Sequence, residues 1–172
     1  MKKALILILG VSLLALAGCI VSGTFVFTDS FELTIASGFS HDWVDITDES
    51  DWEDAKDDID RIESIGLEVW FDNQSANSLT FDVYVSDPPE GAALNTTTVL
   101  TEGTLVIDDF TVPVGESHMS YANSFDFIQN VDKLKELAEG GQFHVYGIQG
   151  GSGTLVVDSA KVIITLNASA TP

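Results

Sequence analysis

Leu79 to Ser86 read LTFDVYVS, with apolar and polar residues in strict alternation. Successive side chains of a β-strand point to opposite faces of a sheet, so this alternation predicts a strand with one face in the core. The same period of two recurs at Phe31 to Ile35 and at Ile65 to Phe71. The pattern therefore predicts a chain that is mainly β.

Two turn-forming stretches separate the strand candidates. Asp72 to Ser78 is polar, and we expect it to return the chain into the Leu79 strand as a long hairpin. Gly150 to Gly153 predicts a second hairpin turn, between the last two strands. The other strand candidates are Thr24 to Thr28, Trp43 to Ile46, Thr96 to Thr101, Leu105 to Ile107, Ser117 to Tyr121, Gln142 to Ile148 and Thr154 to Leu166.

Two segments carry helix signals. Asp126-Phe127-Ile128-Gln129 has the pattern of a capping box, and Gly140-Gly141 would end the helix that follows it. Ser50-Asp51-Trp52-Glu53 is a second capping box, which predicts a helix of about two turns before a strand beginning near Asp60.

The number and spacing of these elements indicate the fold class. About nine short strands with frequent turns and two short helices predict an antiparallel β-sandwich, either jelly-roll or immunoglobulin-like. No alternation of strands with long helices appears, which disfavours a doubly wound fold.

The amino terminus has the features of a secretory signal. Met1-Lys2-Lys3 is basic, and Ala4 to Ala17 is an apolar run interrupted only by Gly10 and Ser12. This run is shorter than the roughly 20 residues that a membrane-spanning helix needs. We therefore expect a signal peptide rather than a permanent transmembrane helix.

Leu16-Ala17-Gly18-Cys19 resembles the lipobox of bacterial lipoproteins. The resemblance covers residues 1–19, and it implies removal of residues 1–18 and attachment of diacylglycerol to the Cys19 sulfur. It usually implies a further acyl chain, such as palmitate, on the new amino terminus. Ile20 stands where an Asp would favour the inner membrane, so a cell with two membranes would carry the protein in its outer membrane. Residues 19–172 would then form one β-sandwich domain tethered through Cys19.

Charge and cysteine content exclude several classes of function. Loss of Lys2 and Lys3 from the seven basic residues leaves five against 27 acidic residues, a formal charge of −22. Such a chain is repelled by phosphate backbones, which excludes nucleic acid as a partner and leaves the lipid as the contact with the membrane. Cys19 is the only cysteine, so the domain has neither an internal disulfide nor a thiol nucleophile.

The densest charge lies between Asp42 and Asp60, where ten acidic residues face one lysine. Calcium prefers six to eight oxygen ligands, several from carboxylates. The spacing does not match an EF-hand loop, and the favoured interpretation is a solvated acidic surface at the start of a helix, with a calcium site as the alternative. The candidate calcium ligands are Asp48, Asp51, Asp54, Asp57 and Asp58.

The remaining chemical groups give no catalytic motif. His41, His118 and His144 are far apart and form no metal-binding motif, and we expect His144 to point outward or to meet a carboxylate. Ser152 lacks the following glycine of a nucleophile elbow. Five aromatic residues form either a sugar-stacking face or ordinary packing, which is the commoner role: Trp43, Trp52, Trp70, Tyr84 and Tyr121.

These observations favour a non-catalytic binding or interaction module at the cell envelope, with a protein, a glycan or a structural cation as its ligand. The alternative is an envelope protein that handles lipids or other hydrophobic ligands in a pocket inside the sandwich. A hydrolase is a third hypothesis. We predict no catalytic residue and no cofactor other than the calcium considered above.

Lipidation of Cys19 is directly testable. The full chain expressed in a bacterium should incorporate a palmitate analogue and partition into detergent, because acyl chains on Cys19 would hold it in the membrane. A Cys19→Ser variant should lose both properties. Labelling that persists in this variant would contradict the assignment.

Overall fold

The computed structural model describes residues 21–35, 38–48, 52, 59–87, 89 and 91–170. A 3-10 helix, Ile46–Asp48, follows the second strand. The helices are α1 (Thr96–Glu102), α2 (Tyr121–Ser124) and α3 (Val131–Gly140). The strands are β1 (Val21–Ile35), β2 (Phe39–Asp45), β3 (Ile59–Asn73), β4 (Leu79–Ser86), β5 (Thr104–Val112), β6 (Gly115–Met119), β7 (Gln142–Gly150) and β8 (Leu155–Ala170).

The strands form two antiparallel sheets, with orders β1-β8-β3-β6 and β2-β7-β4-β5. The pairs β1 with β8, β2 with β7, β3 with β6, and β4 with β5 are nested inside one another along the chain. Successive nested pairs lie in alternate sheets, which is the jelly-roll arrangement. An immunoglobulin-like sandwich does not pair its first strand with its last, so the structure selects the first of the two predicted sandwich types.

The alternation that predicted the fold forms the core between the sheets. In β4 the residues Leu79, Phe81, Val83 and Val85 are buried, as the LTFDVYVS pattern predicted. Phe71 of β3 meets Phe81 edge to face across the core, with ring centroids 5.4 Å apart. The same core also contains the buried residues Ile65, Leu67 and Val69 of β3 and Val157, Val162 and Ile164 of β8.

Helices α2 and α3 cover the part of β3 that extends beyond its pairing with β6. The Leu67 amide donates to Ser124 Oγ at 3.1 Å, and Lys135 Nζ donates to the Glu63 carbonyl at 3.0 Å. The Tyr121 ring lies over Gly66, where a Cβ would come within 2.6 Å of the ring. Such covering satisfies backbone groups that an open strand edge would leave available for aggregation.

Both predicted hairpins are wrong. Asp72 to Ser78 joins β3 to β4, and Gly150 to Gly153 joins β7 to β8, but in each case the two strands belong to different sheets. The two turns lie side by side, since the Gln74 amide donates to the Thr154 carbonyl at 3.0 Å. Turn chemistry is the same whether a chain returns along its own sheet or crosses to the other, and the sequence pattern therefore did not distinguish them.

The start of helix α3 also differs from the prediction. The segment from Asp126 to Gln129 is not helical, because Ile128 forms a β-bridge with Ile107 and the Gln129 amide donates to the Val106 carbonyl at 2.8 Å. Helix α3 therefore begins at Val131, although it ends at Gly140 with Gly141 in the left-handed conformation, as predicted.

Thr96 to Thr101 forms helix α1 instead of the predicted strand. The Asn95 side chain accepts hydrogen bonds from the amides of Thr97 and Thr98 and thereby caps the helix. This local cap outweighs the strand preference of the threonine run. Of the second predicted helix, Trp52 is helical and Ile59 already belongs to β3, whereas residues 53–58 lie outside the described residues.

Across residues 21–35, 38–48, 52, 59–87, 89 and 91–170, no helix is long and apolar enough to span a bilayer.

A substitution at Gly147 of β7 would test the packing of the two sheets. A Cβ there would lie 2.8 Å from Phe81 Cε2 and 2.9 Å from Ile35 Cδ1, both in the core. Gly147→Ala should destabilise the fold by about 1 to 3 kcal/mol through overpacking, which lowers the melting temperature by on the order of 2 to 10 °C. Thermal unfolding followed by circular dichroism measures this change.

The matched control is Gly140→Ala at the exposed end of α3, where a Cβ would meet nothing within 4 Å. This substitution should leave the melting temperature unchanged or raise it slightly. Equal melting temperatures for Gly147→Ala and the unsubstituted chain would contradict the described packing.

Candidate functional site

The outer face of the β2-β7-β4-β5 sheet carries a group of aromatic side chains. In the antiparallel register His41 lies opposite Tyr146, and Trp43 lies opposite His144. The next pair of β2 and β7, Val44 with Phe143, is buried in the core, so the alternation of the strands turns their neighbours outward. We call this group the aromatic surface: Phe39, His41, Trp43, His144 and Tyr146.

The rings of the aromatic surface are in contact with one another. Phe39 stacks on Tyr146 with centroids 6.1 Å apart, and His41 stacks on the same ring at 6.0 Å. Trp43 lies closest to His144, at 4.5 Å and a tilt of 59°. Phe39 and His41 are themselves 6.3 Å apart along the edge strand. The result is a continuous band of rings across two strands.

The segment between β4 and α1 covers the β7 side of this band. Tyr146 Oη lies 2.9 Å from Ser86 Oγ and accepts a hydrogen bond from the Leu94 amide at 3.0 Å. His144 Nε2 lies 3.3 Å from the Pro89 carbonyl oxygen. Tyr146 and His144 are consequently 0% and 2% exposed although they point away from the core.

The β2 side of the band remains open to solvent. His41 is exposed, whereas Phe39 and Trp43 are half-buried. The aromatic surface thus has a covered half on β7, which fixes its geometry, and an accessible half on the edge strand β2. An accessible aromatic half backed by ordered neighbours is suited to ligand contact.

The carboxylate of Asp45 lies at the Trp43 end of the aromatic surface. Asp45 is the next outward residue of β2 after Trp43, and its Oδ2 accepts a hydrogen bond from Gln142 Nε2 at 2.6 Å. Burial alone raises the pKa of Asp45, but hydrogen bonds from Thr47, Gln142 and Trp43 outweigh it and hold the pKa below its ordinary value of 3.8. Asp45 is therefore a fixed negative charge at neutral pH.

More carboxylates lie at the Phe39 end of the same sheet face. Asp82 is opposite Ile148, which is itself opposite Phe39, and Asp82 Oδ1 accepts a hydrogen bond from the Asp109 amide at 2.8 Å. Burial raises the pKa of Asp82, and the nearby charges of Asp109 and Asp108 raise it further. Burial is the largest cause of this shift, and the two neighbouring aspartates add a smaller contribution of negative charge.

The lysines whose side chains the structure describes have contacts of their own, and one of them, Lys133, lies 4.0 Å from Asp87 in the segment between β4 and α1. Lys133 Nζ donates to Glu136 at 2.8 Å, and Lys135 Nζ donates to the Glu63 carbonyl. Lys161 Nζ lies 5.3 Å from the centroid of the Trp70 ring on the opposite sheet. His118 stacks on the same indole with centroids 4.6 Å apart.

The five aromatic residues singled out in the sequence do not form one sugar-stacking face. Trp43 and Tyr84 share the outer face of the β2-β7-β4-β5 sheet, and Trp70 lies on the outer face of the other sheet. Trp52 is buried beside Gly141, and Tyr121 packs over Gly66.

Sequence reasoning missed the roles of Phe39, His41 and Tyr146. The period of two in Phe39, His41 and Trp43, and again in His144, Tyr146 and Ile148, could have placed each set on one face of its own strand, but the pattern does not show that the two strands pair. His144 does point outward as expected, but it is buried beneath the covering segment rather than exposed.

The other predicted site residues fall outside the described part of the chain. Cys19 precedes it, and the side chain of Asp48 and the residues Asp51, Asp54, Asp57 and Asp58 lie in its gaps. The calcium site stays a prediction. Within the portion that the structure describes, no three His, Cys, Asp or Glu side chains gather in an arrangement that could hold a metal ion.

No protein-family model matches the chain, and no curated protein matches it. Among solved structures, one of Desmodium yellow mottle tymovirus is similar at 11% identity with a TM-score of 0.34, covering 87% of this chain and 82% of that one. A structure of the infectious bursal disease virus Gx strain is similar at 13% identity with a TM-score of 0.35, and the match covers 88% of this chain and 37% of the viral chain. A chain of the T13 IBDV viral particle is similar at 11% identity with a TM-score of 0.30, and the match covers 87% of this chain and 35% of the viral chain. The chain thus spans about a third of these last two chains.

Asp45 gives a pH-dependent test of this site. Its pKa is lowered in the fold, so its charge stabilises the protein above the unfolded-state value of 3.8, and this stabilisation is lost as pH falls through the lower folded-state pKa. Asp45→Asn should therefore lower the free energy of unfolding at pH 7. The difference should disappear in acid, as followed by urea unfolding over a pH series.

Asp158→Asn is the matched control, since Asp158 is an exposed carboxylate on β8. Removal of one negative charge from this acidic chain should by itself be neutral or stabilising. Equal effects of the two substitutions at pH 7 would contradict the specific role of the Asp45 hydrogen bonds.

Proposed function

We propose that this chain is an envelope lipoprotein, anchored through acyl chains on Cys19, whose jelly-roll domain is a non-catalytic binding module. The aromatic surface is the observation that carries the binding role. Phe39, His41 and Trp43 are at least partly exposed on an edge strand, beside two buried rings that are fixed by hydrogen bonds. Aromatic side chains supply much of the affinity at binding sites while losing little conformational entropy.

The rigidity of the aromatic surface supports binding. Two of its five rings are buried and tied to the β4 to α1 segment, and the others stand on a strand within a hydrogen-bonded sheet. A ligand that docks there would not have to order a loop, and this lowers the entropic cost of association. Binding through a preformed sheet face is therefore favoured over binding through a loop that folds on contact.

The alternative function, handling of hydrophobic ligands inside the sandwich, has less support. Binding pockets for small molecules usually enclose about 300 to 1,000 Å³. Among the described residues, one void between the sheets is lined by Leu67, Phe81, Val145 and Val157 and has a volume of about 10 Å³. That space is about the size of one water molecule. A lipid chain would not fit in it without separation of the two sheets.

The proposed anchor would hold the domain close to the membrane. Strand β1 begins at Val21, and two residues of extended chain span at most about 7 Å. Acylated Cys19 would therefore place the start of β1 at the lipid headgroups. Because the residue after Cys19 is Ile20, we propose the outer membrane as the location in a cell with two membranes.

Binding can be tested with arrays of neutral oligosaccharides and of short peptides, probed with the detergent-solubilised full chain. The proposal expects at least one ligand class to be retained, and His41→Ala and Trp43→Ala to weaken retention, since both remove rings from the open half of the aromatic surface. Trp70→Ala is the matched control on the opposite sheet. Retention of no probe, or equal losses for Trp43→Ala and Trp70→Ala, would contradict a binding role for this surface.

A further inference from the structure

We infer that the ligand of the aromatic surface is a basic segment of a partner protein, in extended conformation, whose Arg or Lys side chains lie over the rings of Phe39, His41 and Trp43. The inference rests on the proposed binding function and names the chemical class of the ligand. Three observations support it: the charge around the surface, a lysine of this chain that already lies over a tryptophan ring, and the spacing of the rings.

The charge around the aromatic surface is negative at both ends. Asp45 stands next to Trp43, and Asp82 with Asp108 and Asp109 lies toward Phe39. Rings flanked by carboxylates favour a cation over an anion, and the formal charge of −22 would attract it from a distance.

The opposite sheet already shows the expected contact. Lys161 Nζ lies 5.3 Å from the centroid of the Trp70 ring, within the distance over which an ammonium is attracted to an indole face. His118 covers the indole as well, with an interplanar angle of 17°. Trp70 thus receives a cation from the chain itself, whereas the neighbour of Trp43 is the carboxylate of Asp45.

The spacing of the rings fits an extended peptide. Phe39 and His41 have centroids 6.3 Å apart because they alternate along β2. Every second residue of an extended peptide recurs after about 6.5 Å. Basic side chains at alternate positions would therefore meet successive rings without adjustment of either chain. This match favours a peptide over a single small cation.

The experiment uses peptides of alternating glycine and arginine, with glutamine and glutamate versions as the neutral and acidic probes. Each carries an uncharged fluorophore and is titrated with the lipidated full-length protein in nonionic detergent, and binding is followed by fluorescence anisotropy. We expect saturable binding of the arginine peptide. The affinity should fall with added sodium chloride, because the flanking charges are screened.

Variants separate the rings from the general acidity of the chain. Trp43→Ala should lower the affinity for the arginine peptide about three- to tenfold, the range that one cation–π contact implies. His41→Ala, at an exposed position with little effect on folding, should act in the same direction. Asp45→Asn should weaken binding as well, whereas Trp70→Ala should leave it unchanged.

Several outcomes would overturn the inference. Equal affinity for the arginine and glutamine peptides, or an affinity insensitive to salt, would exclude a charge-selected ligand. Loss of binding only on Asp45→Asn, with no effect of Trp43→Ala or His41→Ala, would leave a general acidic attraction without the rings. Binding of a neutral oligosaccharide and of no peptide would retain the binding module but overturn its ligand class. Failure of every probe would overturn both proposals.

Discussion

The pairing of β8 with both β1 and β3 is the interaction on which the rest of the structure depends. β8 is a central strand of its sheet and is registered against β1 from Ile35 to Val21 and against β3 from Asn73 to Ile59. Its inward residues, among them Val157, Val162 and Ile164, supply one wall of the core. Without β8, β1 would have no partner in its sheet, and β3 would retain only the shorter β6.

The opposite sheet shows how one fold can serve both stability and binding. The outward residues His144 and Tyr146 of its inner strand β7 are buried beneath the segment between β4 and α1, and the Tyr146 hydroxyl fixes that segment through Ser86 and the Leu94 amide. The outward residues of its edge strand β2 are left at the surface. Burying a hydroxyl is favourable only when it is hydrogen-bonded, and here the bonds that satisfy Tyr146 also order the accessible rings beside it.

Much of the architecture could be predicted from the sequence, because burial on one face of a strand produces a period of two. The alternation in Leu79 to Ser86 gave the strand and its buried face correctly, and Gly141 ended α3 as expected. The pairing of strands could not be predicted, since the turns at Asp72 to Ser78 and Gly150 to Gly153 cross between sheets with ordinary turn residues. The aromatic surface depends on strand pairing, because the pairing of β2 with β7 places His41 beside Tyr146. No local pattern relates residues so distant in sequence.

The nested pairing also has a consequence for the order in which the chain can fold. β4 and β5 are the closest of the nested partners along the sequence, whereas Val21 of β1 pairs with Ala170 of β8. Because loop closure costs more entropy as the loop lengthens, we expect assembly to proceed from the innermost pair outward. A chain exported from its amino terminus would therefore deliver β1 first and complete its pairing last. Throughout translocation the segment next to Cys19 would stay unpaired, accessible to modifying enzymes and dependent on chaperones until β8 arrives.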